Sequence, residues 1–430
     1  MTPINEFRRL FANRDFRLLW LSQSASVIGD NIVLVAIALF VIQRTGSATD
    51  LGLIFGAQAL ALVSFLLIGG VWADRIPRHR VMISTDLARF ALHALLAVLI
   101  FTGEVRVWQI VVIEMLFGTG EAFFRPAAAG LLPQTVAEAD IQPATAATTM
   151  SRNVAEFAGP ALATALVLGA GAGWAFALDS ATFLVSAALL AGVRGRRREV
   201  SEHVAPARET TLWNDIRAGF REVRARAWVW CTLLAFCAAL FCCLAPLFVL
   251  GPVIAREQYG EIGVYGIVTA ALGFGTIIGS LAGLAWRPRY PIRWAMLMIM
   301  LWPACTALYA AGVTLVLVIP ATMIAGGGIA LFDVWWLTAL AERFPADMLS
   351  RVTSYDWLVS LALLPLGYVL AGPLASVLGS VNLLLGGAVL ATIALAAGLL
   401  PRETRMLERL GDDNPAVSAD EELSRLIRPS

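Results

Sequence analysis

Residues 51–84 read LGLIFGAQALALVSFLLIGGVWADRIPRHRVMIS, and their reading decides the fold. No charged residue stands between Leu51 and Ala73, a run longer than the roughly 20 residues that carry a helix across a bilayer. Asp74, Arg75, Arg78, His79 and Arg80 then crowd into one short turn, and a second apolar run begins at Val81. Such a pattern predicts two membrane helices joined by a basic turn in water. Gly70 lets the helices approach closely. Asp74 is placed to pair with an arginine or to accept from the N-terminal end of a neighbouring helix.

Working outward, apolar runs of similar length begin near Leu18, Leu51, Val81, Trp108, Ala144 and Trp174, and six more begin near Trp228, Val264, Trp294, Leu315, Val352 and Val381. Of 430 residues 59% are apolar and 15% charged, against about a quarter charged in a soluble domain, so lipid is the main solvent. The two sets of six are separated by Arg194 to Ala227, where Trp213, Ile216, Phe220 and Val223 recur at helical spacing among charged residues. That predicts an amphipathic linker on the membrane surface. The organisation is therefore a short N-terminal segment (1–17), a six-helix bundle (18–193), the linker (194–227), a second bundle (228–400) and an acidic tail (401–430).

Arginines fix the expected orientation. Arg8, Arg9, Arg14, Arg17, Arg75, Arg78, Arg80, Arg194 to Arg198, Arg287, Arg289, Arg293, Arg402 and Arg405 fall on one side, against Arg44, Arg106 and Arg256 on the other. The positive-inside rule then places both termini and the linker in the cytoplasm. Met1 to Arg17 has no short apolar region with a small-residue cleavage site, so the first run reads as a retained helix.

Several functions are excluded or disfavoured. The chain has no lysine, hence no P-loop and no Schiff-base lysine. The five cysteines lie in apolar runs without zinc-site spacing, and His79, His93 and His203 form no metal motif, so no cofactor or metal is expected. No nucleophile with its base is visible, and the charge pattern offers nothing to nucleic acid. Unless a partner subunit brings an ATPase, a gradient must drive any transport.

The halves resemble each other. Gly118-Thr-Gly-Glu-Ala-Phe-Phe-Arg125 aligns with Gly326-Gly-Gly-Ile-Ala-Leu-Phe-Asp333, and the same register brings Gly159 onto Gly367, as in a parallel repeat about an axis along the membrane normal.

The turn at Gly70, Asp74, Arg75, Arg78 and Arg80 resembles the signature loop of the major facilitator superfamily, with Pro77 in place of the second glycine. Arg14-Asp-Phe-Arg17, Gly29-Asp30, Phe123 through Pro133, Asp179-Ser-Ala-Thr-Phe183 and Arg351-Val-Thr-Ser354 are similar to its branch of macrolide-efflux proteins, enterobactin exporters and drug-proton antiporters. Ala155 through Ala163, with Gly159 and Pro160, is similar to the antiporter motif of span five, with alanine at two positions where many exporters carry glycine. Glu114 stands where many of these antiporters have arginine. The resemblance implies an all-α membrane fold of twelve helices in two pseudo-symmetric bundles, and a monomer that exports small amphipathic compounds from the bacterial cytoplasm by proton antiport. The alternatives are a siderophore or lysophospholipid transporter of the same fold, and a non-transporting sensor.

Ionisable groups at membrane depth are costly and mark functional candidates. Asp30 shares a face with Gln23 and Ser26, about 20 Å from the start of its span, and is the first choice for coupling. Glu114, Glu121 and Arg125 share a stripe with Gly118, either lining a cavity or pairing as Glu121 with Arg125. Arg152 with Glu156 and Asp86 with Arg89 read as structural pairs. Asp333, the repeat-mate of Arg125, is placed to bridge the halves. Trp335, Trp336 and Trp357 read as membrane-interface anchors, with a flat surface for substrate as the rival. Pro246 and Gly251-Pro252 are expected to interrupt span seven.

Overall fold

The computed structural model describes residues 9–137, 140–193, 224–344 and 358–410, together with Arg221, Val352 and Asp356. The predicted linker helix, Arg351 to Ser354 apart from Val352, and Trp357 lie outside these residues, as does the side chain of Asp74.

Among the described residues twelve long helices follow in order, with a short one at Arg402–Arg405 after them. The first six are α1 (Arg14–Thr45), α2 (Ala48–Arg75), α3 (Arg78–Phe101), α4 (Val107–Thr135), α5 (Ile141–Gly169) and α6 (Ala172–Ala191). The second six are α7 (Ala227–Tyr259), α8 (Val264–Ala285), α9 (Pro291–Ala310), α10 (Leu315–Arg343), α11 (Leu358–Leu378) and α12 (Ser380–Gly398). Eleven are long and apolar enough to cross a membrane; α5 has the length but not the composition. Its first half carries Gln142, Thr145, Thr148, Ser151, Arg152, Asn153 and Glu156, so it needs protein or water on that face instead of lipid.

Prolines bend the helices where they remove backbone hydrogen bonds. In α7 the chain does not break at Pro246. It widens into a π-helical turn over Leu240–Leu244 just before it and then runs on through Pro252. Pro246 cannot donate to the Cys242 carbonyl, and that carbonyl lies against Gly387 of α12, where any side chain would collide with it. In α9, Pro303 accompanies a turn at Met300.

The repeat seen in sequence is also a repeat of contacts. Gly118 of α4 packs on the Gln58 carbonyl of α2, and its mate Gly326 of α10 packs on the Leu272 carbonyl of α8. Gly159 of α5 meets Asn31 of α1, and Gly367 of α11 meets Ala245 and Phe241 of α7. Lipid gives helices no hydrophobic reason to associate, so backbone contact through small residues supplies the attraction.

Between the halves, contact is concentrated towards the end away from the termini. Gly52 of α2 meets the Tyr368 carbonyl of α11, Gly56 meets Val369, and Gly372 meets Thr49. Phe55 packs against Phe248 and Tyr368 at ring separations of 6.5 and 5.6 Å. The symmetry-related pair α5 and α8 touches at Gly263 with Leu168, Gly266 with Thr164 and Phe157 with Phe274, and ends where Asn153 Nδ2 donates to Ser280 Oγ at 3.2 Å. One apolar core spans both halves at this far end. Towards the termini the cores are separate, one in the C-terminal half and two small ones in the N-terminal half. The halves therefore part towards the end that carries the termini.

The basic turn is fastened there. Arg78 Nη1 donates to the Gly130 carbonyl of α4 at 2.5 Å, and a side chain at Gly130 would occupy the guanidinium's place. Trp335 and Trp336 are buried in the C-terminal half and do not sit at the lipid interface. Their indole N–H groups find acceptors inside, the Trp286 carbonyl at 3.2 Å and Asp356 Oδ2 at 3.0 Å, which removes the need for interfacial water.

Alanine at Gly118 should overpack the α2–α4 seam and destabilise the protein by about 1–3 kcal/mol, lowering its melting temperature in detergent. Alanine at Gly386, which has open space around it, should leave melting unchanged.

Candidate functional site

Asp86, Arg89, His93, Glu114 and Asp179 are buried together in one layer between α1, α3, α4 and α6 of the N-terminal half. Asp86, Arg89 and His93 stand on α3 at spacings of three and four, so all three face the same way. Arg89 Nη2 donates to Asp86 Oδ1 at 2.5 Å, and Ser186 of α6 donates to Asp86 Oδ2 at 2.5 Å. The guanidinium lies over Phe124 at 4.2 Å and Phe183 at 4.5 Å. An arginine this deep is tolerable because its charge is both paired and stacked.

One turn further along α3, His93 lies between two carboxyl groups. Its Nδ1 is hydrogen-bonded to Asp179 of α6, and its Nε2 lies 3.4 Å from Glu114 Oε1 of α4. That second contact is at ion-pair distance but outside hydrogen-bond geometry, and neither Glu114 oxygen has a hydrogen-bond partner. The imidazole stacks on Phe117 at 4.3 Å, with Phe176 and Phe183 edge-on. His93 and Asp179 are completely buried and Glu114 is 1% exposed.

Asp30 reaches this layer from α1. It is half-buried, and its Oδ1 is shielded and without a partner. The charges acting on it are Arg89, Asp179, Glu121 and His93. Its neighbour Gly29 is where α6 comes closest to α1, because a side chain there would strike Asp179 Oδ1 and Thr182 Oγ1.

Glu121 and Arg125 occupy a different place. Arg125 Nε and Nη2 donate to Glu121 Oε1 at 2.9 and 2.6 Å, and the two side chains are 43% and 20% exposed for Arg125 and Glu121. Asp333 of α10 is exposed as well, with Glu156 and Asp356 as its charged neighbours. Arg125 and Asp333 are both exposed to solvent, and Asp333 of the C-terminal half has Glu156 of the N-terminal half as a charged neighbour, which sets it at the opening between the halves.

The candidates named from sequence thus divide. Glu121, Arg125 and Asp333 border the opening, Asp30 is half-buried beside them, and Glu114 is sealed inside the N-terminal half. Depth along α4 separates them: Glu114 is about 10 Å from Glu121 towards the closed end. Gly159 and Pro160 are buried where α5 meets α1 and α8. Arg75 and Arg80 are exposed in the basic turn and Gly70 lies within α2. His93 is the functional candidate that the sequence reading passed over. The Asp86, Arg89, His93 stripe was its signal, whereas the pairing with Asp179, 86 residues away, is visible only in three dimensions.

Neutralising one member of a buried pair strands the other. Asp86→Asn should destabilise the protein by about 3–5 kcal/mol, read as a fall in detergent melting temperature, and Glu121→Gln at the solvated pair should change it by less than about 1 kcal/mol.

Comparison with known proteins locates this architecture. The family model for the Major Facilitator Superfamily matches residues 19–360. Macrolide efflux protein A of Streptococcus pyogenes is 28% identical over 154 residues, 35% of this chain and 37% of that protein. An uncharacterized MFS-type transporter of Bacillus subtilis, YvqJ, is 22% identical over 405 residues, 92% of this chain and 94% of that one. The putative bacilysin exporter of Bacillus subtilis is 26% identical over 274 residues, 63% of this chain and 66% of that protein. The matched region thus spans little more than a third of the macrolide efflux relative. Among solved structures, a bacterial homologue of the human lysosomal transporter Spinster, inward-facing and unoccupied, superposes with a TM-score of 0.73 at 16% identity, covering 93% of this chain and 99% of that one. A bacterial homologue of the iron transporter ferroportin, also inward-facing, gives 0.68 at 15% identity over 90% and 99% of the two chains. At such identities these likenesses speak for the fold alone.

Proposed function

The chain belongs to the major facilitator superfamily, and we propose that it exports small amphipathic compounds across the bacterial plasma membrane in exchange for protons. The observation that carries this reading is Asp30: a carboxylate midway along α1, half-buried, with one oxygen unpartnered, beside the Glu121–Arg125 pair that borders the opening. A carboxyl group so placed changes charge only by exchanging a proton with the opening, and its charge state then weighs on which side the opening faces.

The arginine bias puts the terminal end in the cytoplasm. On that orientation the halves part towards the cytoplasm, the arrangement in which an exporter loads its substrate. Macrolide efflux protein A and the putative bacilysin exporter support outward transport by name. The names denote efflux of a macrolide and export of bacilysin, so what carries over is outward transport of a small compound.

On this reading the cycle closes the terminal end after the substrate has loaded. Arg125 and Asp333 are repeat-mates on α4 and α10, and they approach each other across the narrowing opening, so that each offsets the desolvation of the other. Asp333 carries acidic neighbours, Glu156 and Asp356, and gains most from an arriving cation.

In proteoliposomes, Asp30→Asn should abolish pH-driven uphill export while leaving downhill exchange, since asparagine mimics only the protonated carboxyl. Uphill export at the wild-type rate in that variant sinks the assignment. The compounds for this assay come from counterflow against a panel of antibiotics and siderophores, and failure of every compound to move under a pH gradient counts against drug-proton antiport. Single neutralisation of Arg125 or Asp333 should impair transport more than the exchanged pair Arg125→Asp with Asp333→Arg. A double variant as defective as the sum of the singles shows that the two residues do not interact.

A further inference from the structure

Asp30 does not account for the three ionisable groups sealed behind it. We propose that His93, Asp179 and Glu114 form a second proton-binding site inside the N-terminal half, which exchanges protons with the opening by way of Asp30. The proposal rests on the proton-coupled reading above and adds the place where the proton is held.

Charge balance makes the first part of the case. With no added proton the three side chains carry two negative charges, in a layer where His93 and Asp179 are completely buried and Glu114 is 1% exposed. Other charges near the imidazole are few. On α3 itself, Asp86 and Arg89 already satisfy each other. On α4, Glu121 is bonded to Arg125. On α1 there is Asp30, itself acidic, and α2 has no charged residue between Asp50 and Asp74. Neutrality therefore needs two protons shared among three groups: an imidazolium bonded to the Asp179 carboxylate, and a Glu114 carboxylic acid. The aromatic wall of Phe117, Phe176 and Phe183 keeps water from substituting for the missing charge.

Geometry makes the second part. Asp179 bonds His93 through Oδ2, while its Oδ1 has no partner and lies against Gly29 of α1. The next residue is Asp30, whose Oδ1 is also without a partner. Two unpartnered carboxylate oxygens thus flank the α1 backbone at a point where the absence of a side chain lets α6 close in. A proton leaving His93 for Asp179 is handed on at this point, and the step balances as a transfer between carboxylates: Asp179 returns to its ionised form as Asp30 becomes neutral. A cationic group entering the opening beside Asp30 favours the final release, because it stabilises the charge left behind.

The test uses the full-length protein. Nitrogen-15 spectra of histidine-labelled protein in detergent, with His93 assigned through His93→Gln, should show both ring nitrogens protonated across a range from about pH 5 to about pH 9. A neutral tautomer throughout that range overturns the proposal, whatever the transport assays give. In proteoliposomes His93→Gln should lower pH-driven uphill export about tenfold or more and leave downhill exchange within about twofold. Uphill export by His93→Gln at the wild-type rate also overturns it. Asp179→Asn, which keeps an oxygen for the His93 Nδ1–H but cannot carry a proton on to Asp30, guards against a folding failure and should reproduce the loss of uphill export with downhill exchange retained. Absence of pH-driven export in the wild-type protein would instead count against proton antiport itself, and the histidine spectrum still decides whether the site binds the second proton.

Discussion

A charge carried into hydrocarbon must find its opposite inside the protein, and that constraint organises the N-terminal half. Asp86 takes Arg89 and a serine hydroxyl, Arg89 takes two aromatic faces, and His93 takes Asp179. These contacts tie α3 to α4 and α6 more specifically than apolar packing does, because a slip by one residue would leave buried charges unpaired. The aromatic residues are part of the same arrangement. Phe117 and Phe183 cover both His93 and Arg89, so the layer is dry as well as paired.

Among its described residues the C-terminal half solves the same packing problem without a fully buried charge. Thr322 stands at the repeat position of Glu114, and its hydroxyl turns back to the Val318 carbonyl at 2.7 Å. Tyr309 donates to the Gly251 carbonyl at 2.6 Å, and Tyr259 to the Val313 carbonyl at 2.8 Å, so hydroxyl-to-backbone bonds take the place of ion pairs. The backbone of the repeat is symmetric and its chemistry is not. One half is built to hold titratable groups and the other to provide a polar but uncharged frame around Asp333 and Asp356.

Sequence made the architecture legible because the signals are local. An uncharged run reports a span, a cluster of arginines reports a turn in water, and Gly118 with Gly326 reports equivalent seams because only glycine admits a carbonyl so close. The site was legible in part. Glu121 with Arg125 follows from helical spacing alone, and the structure pairs them. Spacing reports which face a residue occupies but not how deep the neighbouring half extends, so Glu114 and Glu121 looked equivalent although one is sealed and the other solvated. The tryptophans misled for a related reason: their acceptors, Asp356 and the Trp286 carbonyl, lie across the fold. In span seven the prolines foretold an interruption but not its form, because proline removes a hydrogen bond without dictating how the chain responds, and here a π-helical turn next to Pro246 absorbs the loss while the helix runs on through Pro252.

The two ends of the molecule are held by different kinds of contact, and this asymmetry bears on how the halves move. At the far end, glycines of α2 and α11 lie on facing backbone, and α5 meets α8 through Gly263, Gly266 and Gly273. Glycine contacts let the backbones approach closely there, and uncharged side chains such as Phe55, Thr164 and Phe157 fill in around them, so no charge has to be desolvated when these surfaces meet. At the terminal end the groups on the proposed closing surfaces are charged: Arg125, Glu121 and Glu156 in the N-terminal half, Asp333 and Asp356 in the C-terminal half. Closing that end removes water from ions, which is unfavourable until opposite charges are in contact. One closure is governed by shape and the other by charge. On the proposed antiport cycle a proton or a bound cation alters only the second, and by changing its free energy relative to the first it would set which end is open.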